Sequence, residues 1–261
     1  MRPSLNLPAL GYFARPLLIL GPLLSCVFAP ACPKPVVGNS SAVVVLLDYS
    51  RSFAPYSASD VAALNEAYRS ILQMVKVGSL PQPVKILWAA FGDDGLRPLE
   101  PCGPPLVFSQ SLTGRTSSQI PSRAPVPKRL TRIEDLESWL SECVIVVRAT
   151  SQSAQRFTDI SGALTFAADA VEDITDERVV ILFTDLLEDL PPDRRPPTFR
   201  LSRAKVLLIW RPGLDDQEDP AAAPRRVDGW RKKLEAAGAS RVCAKAAEGL
   251  TEGEIASCLW K

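Results

Sequence analysis

Ala42-Val43-Val44-Val45-Leu46-Leu47-Asp48-Tyr49-Ser50-Arg51-Ser52 is the stretch that decides how this chain folds. Six apolar residues in unbroken succession, half of them β-branched, show no polar alternation, which is the pattern of a strand covered on both faces in a parallel sheet. The run ends abruptly in an aspartate. Val179-Val180-Ile181-Leu182-Phe183 repeats the pattern and ends at Thr184-Asp185. An open α/β sheet binds ligands beyond the carboxyl ends of its strands, so both aspartates stand where a site is expected.

Outward from these runs, strand and helix patterns alternate. Ser57 to Asp60 reads as a capping box, and Val61, Leu64, Tyr68, Ile71, Leu72 and Val75 recur behind it at helical spacing. Val84 to Phe91 predicts a second strand and Leu106 to Phe108 a short third one, with Cys102 in the loop between. Ser111 to Arg129, rich in Ser, Pro and Arg, is a long excursion without periodicity. Thr131 with Glu134 reads as a further capping box, opening a helix that carries Leu136, Leu140 and Cys143. A third amphipathic helix follows Thr158. Beyond the Pro/Arg-rich loop Leu186 to Arg203, Lys205 to Trp210 is a strand, Val227 to Ala237 a helix stopped by Gly238, and Arg241 to Ala244 an edge strand. Thr251 with Glu254 caps a final helix. The alternation predicts an α/β fold, a doubly wound and mostly parallel sheet with helices on both faces.

Composition narrows the chemistry. Thirty Lys plus Arg balance 29 Asp plus Glu, a net charge of +1, so no overall field draws the chain to nucleic acid. The sequence has no histidine, which excludes a Ser-His-Asp triad, a Cys-His pair and a His-ligated zinc. No Gly-rich nucleotide loop is present, and Ser50 lies outside any Gly-x-Ser-x-Gly elbow. The expectation is a protein that is not an enzyme. A Ser-Lys arrangement is the hydrolase alternative left open.

Residues 1–32 carry Arg2 and Arg15, the apolar run Leu17 to Leu24 and then small residues, the layout of a secretory signal, with 33–41 as a linker and 42–261 as one folded domain. Leu23-Leu24-Ser25-Cys26 resembles a bacterial lipobox, which makes Cys26 the lipidated first residue of a membrane-anchored protein facing the periplasm or exterior. Ala29-Pro30-Ala31-Cys32 offers an ordinary cleavage site and a soluble secreted form as the alternative. Export brings an oxidising compartment, in which Cys102, Cys143, Cys243 and Cys258 form an even set. Cys102 with Cys143 and Cys243 with Cys258 is the favoured pairing, because each joins a strand or loop to the following helix. Separate buried thiols are the alternative.

Asp48-x-Ser50-x-Ser52 after a buried strand, then Thr158 at the mouth of a helix, then the strand-terminal Asp185, resemble in that chain order the metal-ion-dependent adhesion site (MIDAS) of the von Willebrand factor A (vWA) family. The resemblance spans about Ala42 to Leu259 and implies a metal held by Asp48, Ser50, Ser52, Thr158 and Asp185. The sequence departs from the family pattern at Leu186 and at Arg156-Phe157, where glycine is common. Two carboxylates and three hydroxyls form an all-oxygen set suited to Mg²⁺, with Mn²⁺ or Ca²⁺ as competitors. Water would complete the shell and leave a position for a carboxylate from a protein partner, chosen by the loops Ser111 to Arg129 and Leu186 to Arg203. The bland alternatives are a structural lipoprotein with a vestigial, metal-free site, or serines and Thr158 acting only as helix caps. Asp93-Asp94 and Asp215 to Asp219 read as solvated loop charges.

Overall fold

The computed structural model of the chain describes residues 40–110, 127–151, 155–174, 176–213, 216, 219 and 221–260. All of these lie in the compact unit Val37–Lys261. The export segment with Cys26 and Cys32, and most of the excursion from Ser111 to Arg129, lie outside the described residues.

In chain order the elements are β1 (Ser41–Asp48), α1 (Ala58–Lys76), β2 (Val84–Phe91), β3 (Leu106–Phe108), β4 (Lys128–Leu130), α2 (Ile133–Thr150), α3 (Ile160–Ala170), β5 (Glu177–Thr184), β6 (Lys205–Trp210), α4 (Ala222–Ala236), β7 (Arg241–Ala246) and α5 (Glu252–Leu259). The strands form one sheet in the order β4-β3-β2-β1-β5-β6-β7, parallel throughout except for the β2/β3 pair. Strand β1, the most uniformly buried, lies at the centre, because a strand with no polar face is stable only where helices cover both sides.

The sheet sends alternate residues of each strand to opposite layers. Val43, Val45 and Leu47 pack with α1, α2 and α5 on one face, while Ala42, Val44 and Leu46 pack with α3 and α4 on the other. Trp139 and Trp230, one in each layer, are both core residues. The doubly wound architecture follows from this two-sided burial. Parallel neighbours β1, β5 and β6 also bring their carboxyl ends, and the loops that follow, to one edge of the sheet.

Helix ends agree with the sequence where a cap is local. Ser57/Asp60 and Thr251/Glu254 each form both arms of a capping box. The expected box at Thr131 is not formed: α2 begins one residue late, Arg132 occupies its N-cap without a side-chain bond, and Glu134 instead pairs with Arg132 at 3.5 Å. Extended backbone pairing of Lys128–Leu130 with β3 fixes the chain up to that point. Gly238, at φ 93°, closes the turn after α4.

Disulfides join Cys102 to Cys143 and Cys243 to Cys258, with Cα separations of 5.3 and 6.1 Å. The first fastens the loop before β3 to α2, and the second fastens edge strand β7 to α5. Replacing both Cys243 and Cys258 by Ala should lower the unfolding free energy by about 3 kcal/mol, the chain-entropy value for a loop spanning 15 residues, seen as a lower urea midpoint. An unchanged midpoint would show that the bridge does not stabilise the edge.

Candidate functional site

Asp48 and Asp185 follow the apolar stretches of two neighbouring parallel strands and are both almost completely buried. The Asp48 carboxylate accepts the Ser50 N–H through Oδ1 at 2.8 Å and the Thr184 hydroxyl through Oδ2 at 2.6 Å. Asp185 Oδ1 accepts the Leu187 N–H at 2.9 Å, whereas Asp185 Oδ2 is buried and has no hydrogen-bond partner. Ser50 and Ser52 complete the link between the two strands. Their hydroxyls are 3.2 Å apart, Ser50 is a hydrogen-bonding neighbour of Asp48, and Ser52 acts likewise on Asp185.

Electrostatics mark this pair as incomplete. Burial first, and then the Asp185 charge, push the Asp48 carboxyl from 3.8 up to about 7, against the opposing bonds from Ser50 and Thr184. Burial likewise raises Asp185, partly offset by Ser52, the Leu187 N–H, Arg226 and Arg211. Two carboxylates in one water-poor pocket repel, and a cation between them would remove both the repulsion and the unpartnered oxygen. The donor set therefore fits a hard divalent ion, which Asp48, Ser50, Ser52, Asp185 and Thr158 would hold.

Thr158 reaches the same edge by backbone pairing. Gln155 pairs in parallel with Ser50, its N–H bonding the Tyr49 carbonyl and its carbonyl accepting Arg51 N–H, each at 2.7 Å. Thr158 N–H donates to the Asp189 carbonyl at 2.7 Å, so the loop after β5 is bound to the threonine loop as well. Thr158 is buried but is not the N-cap of α3. Asp159 fills that role, accepting the Gly162 N–H at 2.7 Å, which removes helix capping as an explanation for Thr158.

Asp159 is a buried carboxylate beside the candidate site that sequence reasoning did not single out. Its fully buried carboxylate also accepts the Gly95 N–H at 3.0 Å and lies 3.3 Å from Arg194, which bonds the Asp93 carbonyl at 2.8 Å. A Cβ on Gly95 would come within 2.1 Å of the Asp159 carbonyl, so only glycine permits this approach. Asp93, read as a solvated charge, is exposed yet accepts the Phe157 N–H at 2.7 Å. Asp216 corrects the same reading more firmly: it is buried and paired with Arg226 at 2.6 and 2.7 Å, and Arg226 holds its carboxyl below the usual range. The Asp159-x-x-Gly162 spacing was the one local sign of this arrangement; the arginine partner, Arg194, lies too far along the chain to be read from spacing.

At Leu186 the expected geometric difficulty is met by a left-handed backbone, φ 62°, in a residue that is not glycine. The Leu186 side chain is buried in the α3/α4 layer, its N–H bonds Thr184 Oγ1 at 3.0 Å and its carbonyl accepts the Trp230 indole N–H at 3.0 Å. These contacts hold the conformation. Gly213 lies so close that a Cβ there would stand 3.0 Å from Asp185 Oδ2. A serine-lysine contact does occur, Lys233 Nζ to Ser161 Oγ at 2.8 Å, with Ser161 fully buried in the first turn of α3.

The chain matches no family model and no curated protein. Among solved structures it is similar to the type V pilus tip protein of Porphyromonas gingivalis, at 16% identity over 58% of this chain and 20% of that one, with a TM-score of 0.34. A mussel byssus proximal thread matrix protein with a zinc-occupied MIDAS motif is similar at 13% identity over 85% of this chain and 46% of that one, TM-score 0.37. The SpaC pilus adhesin of Lactobacillus rhamnosus GG is similar at 13% identity over 84% and 26%, TM-score 0.39. The chain thus spans less than half the length of each of these three proteins.

The raised carboxyl gives a measurable pH dependence with a definite sign. In chelator, folded Asp48 keeps a proton up to about pH 7 that the unfolded chain releases near 3.8, so stability is fully present below that lower value and falls as pH rises through the interval. Urea midpoints should drop between pH 5 and pH 7.5, and Asp48→Asn, which cannot ionise, should flatten that drop. Equal slopes in the two proteins would refute the raised Asp48 carboxyl as the cause.

Proposed function

We propose that this chain is a vWA-like, metal-dependent protein-binding module displayed outside the cytoplasmic membrane, and that it works by recognition, not catalysis. The observation that carries this reading is the pair of buried carboxylates, Asp48 and Asp185, raised by burial and, at Asp48, by the neighbouring charge, with one oxygen left without a partner. Asp48, Ser50, Ser52, Thr158 and Asp185 would hold Mg²⁺, or Mn²⁺ or Ca²⁺ in its place, and the ion would supply an open position for a partner's Asp or Glu carboxylate. The chain's own residues orient that position. Thr184 fixes Asp48, Leu187 N–H fixes Asp185, and the Asp159–Arg194 contact fixes the loop bearing Thr158.

Purified protein should bind Mg²⁺ or Mn²⁺ at one site by calorimetry, and Asp48→Ala combined with Asp185→Ala should abolish binding with the circular dichroism spectrum retained. Unchanged affinity in the double variant would reject the assignment.

The two disulfides favour an oxidising compartment, and the Leu23-Leu24-Ser25-Cys26 string supports a lipid anchor at Cys26. Acyl chains contribute about 0.8 kcal/mol per buried CH₂, enough for firm attachment when several are present. Cys26→Ser should release the protein from the membrane fraction or block its maturation, whereas Cys32→Ser should do neither. A wild-type protein that partitions into the aqueous phase and begins at an unlipidated Cys32 would overturn the anchor.

A further inference from the structure

Arginines on the elements around the candidate metal site divide into two kinds. Arg194 is paired with Asp94 and Asp159, Arg211 with the buried Asp60, and Arg226 with Asp216. Arg51 and Arg156 are exposed, and among the described residues neither makes an ion pair. Arg51 lies between the two serines of the first loop, and Arg156 lies two residues before Thr158.

One backbone bridge joins the two loops that carry them. Ser50 pairs in parallel with Gln155, and Arg51 N–H donates to the Gln155 carbonyl at 2.7 Å, so each arginine is the residue directly after a partner of this bridge. Among the described residues no acidic side chain pairs with either arginine, although Glu188 and Asp189 stand in the adjoining loop. Glu188 is engaged by Ser161 N–H and Lys233, and Asp189, exposed across from Thr158, pairs with neither arginine. Arg156 is further ordered by stacking on the Phe157 ring, with its guanidinium carbon 4.9 Å from the ring centroid. Arg156-Phe157 is also the dipeptide at which the sequence departs from the glycine common in the vWA pattern. The departure therefore supplies a positioned cation where a glycine would supply none.

We infer that Arg51 and Arg156 form a specificity clamp for an acidic protein segment, one carboxylate of which meets the metal while flanking carboxylates pair with the two guanidiniums. The inference rests on the metal-dependent reading for the placement of the central carboxylate, and the clamp itself is read separately. Guanidinium forks suit carboxylates in bidentate geometry, and a net charge of +1 leaves the selectivity to this local pair and not to the protein's overall field.

The test uses the full chain and two fluorescent heptapeptides, one with a single central Glu among glycines and one with Asp two positions before and after that Glu. In Mg²⁺ at low salt, anisotropy should show the triacidic peptide bound about fivefold more tightly, as two exposed charge pairs allow, with the preference shrinking at high salt. Arg51→Ala with Arg156→Ala should erase the preference, Arg51→Lys with Arg156→Lys should keep part of it, and Mg²⁺ affinity by calorimetry should stay within about twofold in both. Equal binding of the two peptides by the wild type, binding of neither, or a preference that survives the double alanine variant would overturn the clamp. If the wild type binds no Mg²⁺, the metal reading fails, and the same peptide pair measured in chelator still decides the clamp by whether the preference depends on the arginines.

Discussion

Repulsion between two carboxylates in a dry pocket is the constraint around which the carboxyl edge of this sheet is built. Asp48 and Asp185 are placed together because β1 and β5 are parallel neighbours in register, and both are buried because apolar strands and helices surround them. Such a pair destabilises a fold unless protons or a cation intervene. The surrounding donors, Thr184, Ser50, Ser52 and the Leu187 N–H, moderate the cost without cancelling it, as the raised Asp48 carboxyl shows.

The loops obey the same constraint. A site assembled from three chain segments needs them held within hydrogen-bonding distance, and here main-chain bonds do this work: Gln155 to the first loop and Thr158 to the loop after β5. The buried Asp159 carboxylate gathers two further amides and Arg194, with Gly95 and Gly162 leaving room for it. The left-handed Leu186 is retained because its side chain is packed and both its amide and its carbonyl are bonded. Rigidity at the site thus comes from satisfied polar groups over a scaffold packed on both faces, while Arg51 and Arg156 keep their charges outward.

Much of this was legible one residue at a time. The alternation of apolar runs with capped amphipathic stretches is local, and it carried the strands, the helices, two of the three expected capping boxes and the doubly wound class. Both cysteine pairings agree with the proximity of a strand or loop to the next helix. The failure at Thr131 is informative: a capping motif states a preference, and pairing of β4 with β3 delivered the chain to α2 one residue later.

By itself the sequence determined that a β-branched strand ending in Asp48 would lie at the centre of a covered sheet and that Asp185 would end another, because side-chain burial and period are properties of short windows. Only the tertiary structure decided that Ser50 and Ser52 connect those two aspartates, that Asp159 rather than Thr158 caps α3, that Asp216 is buried against Arg226, and that Arg51 and Arg156 are exposed with no acidic partner among the described residues. The Asp159 cap spans only three residues, but the aspartate link and the Asp216–Arg226 pair join positions ten to more than a hundred residues apart, and these depend on strand order and register, which no local pattern of hydrophobicity encodes.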